Sequence, residues 1–179
     1  YRRLRIRQAE LMLHQGHWPQ AIESYLAAQA HDAAANAVEI VVQDAFDAGQ
    51  WNILHDWIGA LPYAVLEDHP RLLLFQGKLH TEAGNPAEAM ASLARARQSY
   101  LRQGDAIGGA RTLVQQAVVE RHQGRRNDVI EHCQMALDMA AGRDSLAAIS
   151  AHRNMGICHV LEGRLPEGLA EMSQALQIA

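Results

Sequence analysis

The chain has 179 residues, enough for one domain with a sizeable core, and 49% of them are apolar although aromatics supply only 5%. With 31 alanines against 5 prolines, the composition favours helix packed closely on helix and excludes a disordered tail. The net charge of -4 excludes a basic nucleic-acid module, no window approaches the roughly 18 apolar residues of a membrane span, and two cysteines are too few for a disulfide scaffold, which points to a cytoplasmic location.

In chain order, residues 3–15 and 19–30 read as a pair of helices turning at Gly16, with Pro19 at the first helical position of the second. Residues 33–48 and 51–60 form the next pair, capped by Asp32 and turning at Gly49. Trp18 and Trp51 each stand two residues after a turn glycine, where an aromatic wedges between helices. Pro62 to His69 reads as an irregular connection, and Pro70 opens the next helix. Residues 70–83 and 86–103 turn at Gly84, and Asn85-Pro86-Ala87-Glu88 supplies a cap, a proline at the first helical position and a reciprocal glutamate. Residues 106–123 and 127–141 turn at Gly124 after the cap Asp105. Residues 145–162 and 166–178 turn at Gly163 after the cap Asp144. The chain opens on Tyr1 and stops at Ala179 inside a helical pattern, as expected for a piece of a longer protein.

The five turn glycines are 33, 35, 40 and 39 residues apart, the period of two-helix solenoid repeats. Aligning them exposes columns of small residues where two helices must approach. Seven residues earlier stand Ala9, Val42, Gly77, Ala117 and Gly156; five later stand Ala21, Leu54, Ala89, Val129 and Gly168. Each hairpin cannot bury its apolar face alone, so neighbours complete one core, with Ile22, Leu93, Ile130 and Leu169 filling the gaps. First helices line a concave face and second helices the convex back.

These columns resemble the tetratricopeptide (TPR) repeat, strongly at the small positions and weakly at the leading Trp and closing Pro. The resemblance implies an all-α, right-handed αα-superhelix of about five hairpins (3–30, 33–60, 70–103, 106–141, 145–178) in a single domain over 1–179. Concave columns of such a fold lie 13, 10, 6, 3 and 2 residues before the turn glycine. They select Arg71, Lys78, Arg111, Arg121, His122 and Arg153 as ligand-binding candidates, among inner positions that also include Arg3, Glu10, His14, Asn36, Glu39, Gln43, Asp47, Thr81, Glu82, Val114, Val118, Ser150 and Ile157. The arginines could converge on an anionic or polyhydroxyl ligand through guanidinium forks, or pair with Glu82, Glu120 and their neighbours and merely solubilise the face.

The run from Ala48-Gly49-Gln50-Trp51 through Leu61-Pro62 to His69-Pro70-Arg71-Leu72, with Tyr1-Arg2-Arg3 and Ala21 to Ala28, resembles the sensor region of MalT-type regulators, the large ATP-dependent LuxR-family activators also classed as STAND proteins. That resemblance implies a ligand-sensing arm for a small-molecule inducer or regulatory protein, acting on the parent's own ATPase module and its self-association, with ATP and promoter DNA bound by other segments and no nucleic acid or membrane touched by this one. The alternative is a freestanding TPR scaffold that holds a peptide or partner helix in its concave groove.

No G-x-x-x-x-G-K-[ST] phosphate cradle occurs. His132-Cys133 and Cys158-His159 invite a metal, but adjacent helical residues point about 100° apart, so no metal site is expected and both cysteines read as buried, reduced thiols. The serines lack a nucleophile elbow and Glu67-Asp68 reads as solvated, so no catalytic residues and no enzyme are expected. Arg2, Arg3, Arg5 and Arg7 make either a contact for an acidic or phosphate-bearing neighbour or a solvated helix face.

Overall fold

The structure, a computed structural model, describes residues 2–179. Tyr1, part of the opening run quoted above, lies outside the described residues. Among them the chain forms eleven α-helices and no strand: α1 (Arg2–His14), α2 (Trp18–Ala27), α3 (His31–Asp47), α4 (Trp51–Gly59), α5 (Tyr63–Asp68), α6 (Pro70–Glu82), α7 (Pro86–Arg102), α8 (Ala106–His122), α9 (Arg126–Ala140), α10 (Ser145–Leu161) and α11 (Leu165–Ile178). No helix among them is long and apolar enough to cross a membrane.

One local device makes every hairpin. The first helix ends in a left-handed residue, as at Gly49 (φ +73°) and Gly124 (φ +74°). The next amide then donates to the carbonyl five residues back, Gln50 to Ala45 and Arg125 to Glu120, each at 2.9 Å. This satisfies the carbonyls that a helix end leaves open and reverses the chain in two or three residues. The same closure recurs between hairpins. Asp105 donates to Tyr100 behind Gly104, and Ala30 donates to Tyr25 behind Gln29, which carries the left-handed φ of +53° without being glycine.

The helices pair as α1/α2, α3/α4, α6/α7, α8/α9 and α10/α11, and successive hairpins join through α2/α3, α7/α8 and α9/α10. Along the inner layer α3, α6, α8 and α10 touch in series. The result is the αα-superhelix of TPR-like hairpins expected from the columns. The column residues are buried throughout: Ala9, Val42, Ala117, Ala21, Leu54, Ala89 and Val129 are all fully buried. Where the column holds glycine the approach is closest. A Cβ on Gly77 would stand 2.5 Å from Cγ of Leu93; outside the columns, one on Gly108 would stand 2.2 Å from Cδ1 of Tyr100.

Several local expectations need correction. Pro62 to His69 is not an irregular connection, because Tyr63–Asp68 forms α5, with Leu66 buried beneath it. Asp32 lies inside the first turn of α3 and caps nothing, since α3 begins one residue earlier at His31. Asn85 precedes α7 without a side-chain cap bond, whereas Asp105 and Asp144 do accept from Gly108 (2.8 Å) and Ala147 (3.4 Å). Ile22 and Leu93 fill the core, Ile130 is half-buried, and Leu169 is exposed because no further hairpin packs on α11 among the described residues.

The two kinds of glycine predict opposite outcomes. Gly108→Ala drives a methyl into the Tyr100 ring and should cost about 1–3 kcal/mol in urea unfolding. Gly59→Ala meets nothing within 4 Å and should stabilise by about 0.5–1 kcal/mol through the unfolded chain.

Candidate functional site

The concave face holds a cavity of about 600 Å³ where α3, α6, α8 and α10 come together. Its floor is apolar, with Leu74 and Phe75 from α6 and Val114 from α8, while Ile107 of α8 and exposed Leu146 of α10 also line it. Its polar lining carries both signs: Arg71, Lys78 and Arg111 against Glu39, Asp68 and Asp105. Gln43, Gln103, Gln115, Ser150 and Tyr100 complete the polar lining.

The short helix α5 is one wall. Gln103 Nε2 donates to the carbonyl of Asp68 (3.1 Å), and Arg102 lies 3.9 Å from Glu67, which ties the turn before α8 to α5. On the opposite side His69 Nδ1 lies 3.3 Å from Oε1 of Glu39 and draws α3 to the start of α6. Tyr100 reaches the cavity from the convex helix α7 because Gly108 leaves room for its ring. Burial, reinforced by the charges of Asp105 and Glu39 and opposed by Arg71 and Arg111, pushes its hydroxyl up to about 12, so it stays a neutral donor.

The three cations differ in what they do. Arg111 Nε donates to Asp144 Oδ2 at 2.6 Å, and Asp144, buried, caps α10, so this pair joins the fourth hairpin to the fifth. Lys78 extends over aromatic rings, with Nζ 4.5 Å from the centre of Phe75 and 5.4 Å from that of Phe46. Those two rings meet edge to face at 5.5 Å. Burial holds the Lys78 ammonium below the usual lysine range; Asp47 counters it, and Arg71 and Arg111 add to it. Arg71 is exposed at the rim, and no hydrogen bond or ion pair engages it among the described residues.

Of the six sequence-selected residues, Arg71, Lys78 and Arg111 share this cavity, while Arg121, His122 and Arg153 do not line it. Arg121 Nε donates to Oδ1 of buried Asn154 (3.1 Å), and its Nη2 lies 3.2 Å from His122 Nε2, so it braces α8 against α10. Arg153 is exposed on α10. The cavity therefore uses the columns 13, 10 and 6 residues before the turn glycine and leaves the two nearest the turn. Sequence columns missed Tyr100, Gln103 and Asp68, which come from a convex helix, a turn and α5. The signal for Tyr100 was Gly108, which faces its ring.

Elsewhere, carboxylates serve the helix junctions. Glu120, wholly buried, lies 2.7 Å from His132 Nδ1, and Glu171 lies 2.6 Å from His152 Nδ1. The two cysteines are free and buried. Burial, with the charges of Cys158, Glu120 and Glu171, pushes the Cys133 thiol up to about 12, which keeps it protonated. Trp51 donates from Nε1 to the carbonyl of Phe46 (3.0 Å) and packs on its ring, 6.0 Å away.

No protein-family model and no curated protein sequence matches the chain. Solved structures do match its fold. MamA aligns with a TM-score of 0.71 at 15% identity, covering 99% of this chain and 91% of its own. BtubC (BKLC) from P. vanneervenii gives 0.71 at 13% identity, over 95% of this chain and 76% of its own. YrrB, described as a TPR protein with an unusual peptide-binding site, gives 0.62 at 17% identity, over 97% and 84%.

These matches overturn the resemblance to the sensor region of MalT-type, LuxR-family regulators: what the chain follows almost end to end is MamA, BtubC and YrrB. The residues that carried the resemblance have local reasons to be there. Gly49 makes the turn, Leu54, Trp57, Ile58 and Leu61 are buried under their neighbours, and Pro62 and Pro70 open α5 and α6.

The Arg111–Asp144 pair sets a pH dependence. Desolvation pushes the Asp144 carboxyl up, but the Arg111 hydrogen bond and the backbone amides of Ala147 and Leu146 outweigh it, and its value lies below the ordinary range. The stability it contributes is therefore present above the unfolded carboxylate value and lost as pH falls through the folded one. Asp144→Ala should cost about 1–2 kcal/mol at neutral pH. In urea titrations that difference should shrink towards zero as the solution is acidified below the carboxylate range.

Proposed function

We propose that the chain is a protein-interaction scaffold whose concave cavity receives a segment of a partner protein. The observation that carries this reading is the cavity itself: an apolar floor wide enough for one or two side chains, edged by Lys78 and Arg71, neither of which makes an ion pair among the described residues. A short apolar residue would settle over Leu74, Phe75 and Val114 while a neighbouring acidic residue reaches Lys78 and Arg71. The polar rim at Gln43, Gln103 and Gln115 would meet the segment's backbone amides.

Two further facts favour binding over chemistry. The lining holds no nucleophile with a positioned base and third group. YrrB, which shares the fold, is described as having a peptide-binding site. The helices that build the cavity are stitched by buried packing, so the groove is formed before a partner arrives, which lowers the ordering cost of association.

Peptide display against the full chain should enrich segments that pair an apolar with an acidic residue. Charge reversal at the rim, Arg71→Glu with Lys78→Glu, should weaken the selected peptides by at least about tenfold, the size of one lost charge-assisted contact, with circular dichroism unchanged. Equal affinity for wild type and double variant would place the partner elsewhere on the superhelix.

A further inference from the structure

Among sixteen lysines and arginines in this chain, one alone is an amine: Lys78. Arginine stays protonated at any physiological pH and histidine's imidazole is not a primary amine, so Lys78 is the only side chain here that can condense with a carbonyl to an imine. Its place is the concave cavity of about 600 Å³, open to small molecules.

The groups around it are unusual for a surface lysine. Nζ lies against the faces of Phe75 and Phe46, at 4.5 and 5.4 Å, and no carboxylate pairs with it among the described residues. The charges that face it come from three helices: Asp47 on α3 favours the ammonium, while Arg71 on α6 and Arg111 on α8 oppose it, and burial opposes it most. Of the other lining charges, Asp68 lines the cavity beside α6 and three more have partners within the chain. Glu39 meets His69, Asp105 caps α8, and Arg111 is held by Asp144. That leaves Arg71 as the guanidinium available to a ligand. It stands two helical turns before Lys78 on α6, about 10 Å along the axis, and its fork suits a phosphate or carboxylate.

We propose that Lys78 captures small anionic carbonyl compounds as a reversible imine, Arg71 holding the anion while the aldehyde or ketone carbon meets Nζ. The neutral amine adds its electron pair to the carbonyl carbon, forming the C–N bond. The C=O π pair moves to oxygen, one proton passes from nitrogen to that oxygen to give the carbinolamine, and its hydroxyl leaves with the second nitrogen proton as water, which forms the C=N bond of the imine. Hydrolysis runs the same steps backwards, and neither oxidant nor reductant is needed. A desolvated lysine beside other cations is the arrangement that raises the neutral fraction of an amine, tenfold for each unit by which its acidity shifts. The inference uses the same cavity as the peptide reading and does not rest on it.

The test takes the full chain and pyridoxal 5′-phosphate, an aldehyde with a phosphate, followed by borohydride reduction and peptide mapping. Since the chain has one lysine, any side-chain adduct is at Lys78, and the N-terminal amine maps to a different peptide. The expected result is a saturable adduct at Lys78, at least about tenfold more at neutral pH than on Nα-acetyl-lysine under the same conditions. Pyridoxal without its phosphate should bind at least about tenfold more weakly, and Arg71→Gln should weaken the phosphate compound by a similar factor. Lys78→Arg should give no side-chain adduct with an unchanged melting curve. An adduct that grows linearly without saturation, or that is indifferent to both the phosphate and Arg71, overturns the proposal on the wild-type protein alone. Peptide binding that persists in that case leaves the scaffold reading intact, and adduct formation without peptide binding would overturn only the latter.

Discussion

The distance at which two helices of a hairpin can cross governs everything else in this molecule. Between α6 and α7, Gly77 meets the side chain of Leu93 so closely that one methyl would overlap it. Between α10 and α11, Gly156 and Gly168 face each other's carbonyl oxygens, with a Cβ on either lying 3.1–3.2 Å from the other's oxygen. Alanine performs the same task in the first and fourth hairpins, where Ala9 and Ala117 are fully buried. Close crossing lets the large aliphatics on either side reach the next hairpin, and that contact repeats along the chain as one core. The second hairpin, with Val42 and Leu54 in the same columns, has the shortest second helix, α4, and the chain needs the extra helix α5 before the third hairpin begins.

The concave cavity follows from that geometry. Since α3, α6, α8 and α10 run side by side, residues at equivalent heights on each become neighbours though 30 to 40 positions apart in sequence. Arg71 and Arg111, both thirteen residues before their glycines, thus come to one cavity. The glycine at 108 adds a second effect. It removes a side chain from the inner helix and lets Tyr100 cross from the outer layer, which places a neutral hydroxyl among charged groups. A packing constraint in one helix pair in this way decides the polarity of a surface shared by four.

How much of this was legible in the sequence divides along the same line. Residues set by repeat period were readable: the turn glycines, the buried small columns and the inner positions Arg71, Lys78 and Arg111 each follow from counting backwards from a glycine. What was not readable depends on a partner outside the repeat. Arg111 and Asp144 are 33 residues apart, and only the stacking of hairpin on hairpin makes them a pair. Arg121 had the correct column for the groove, yet Asn154 across the junction claims it. The helix α5 has no counterpart in the other hairpins, so no column could announce it. The run from Gly49 to Leu72 shows the converse hazard: a turn glycine, two tryptophans and two prolines at fixed offsets resemble a particular regulator, although each is accounted for by burial or by a helix start.

Several arginines are tied to oxygen acceptors, whereas Arg95, like Lys78, lies over a ring, 3.7 Å from the centre of Tyr63. Arg2 donates to the carbonyls of Ala28 and Gln29, Arg111 to Asp144, Arg121 to Asn154, and Arg125 to Asp128 while lying 3.8 Å from Glu120. Each ties together segments that the hairpin geometry brings close, and each has an oxygen acceptor for its charge. Lys78 has no oxygen acceptor among the described residues, and its ammonium meets the rings of Phe46 on α3 and Phe75 on α6. It gives up hydration to lie over Phe75 and Phe46, and a cation–ring contact returns only about 0.5–2 kcal/mol. A methionine of similar length would cover the same rings without a desolvated charge. Under the imine proposal its nitrogen meets a carbonyl compound that enters the cavity, and the exposed guanidinium of Arg71 on the same helix face favours an anionic one.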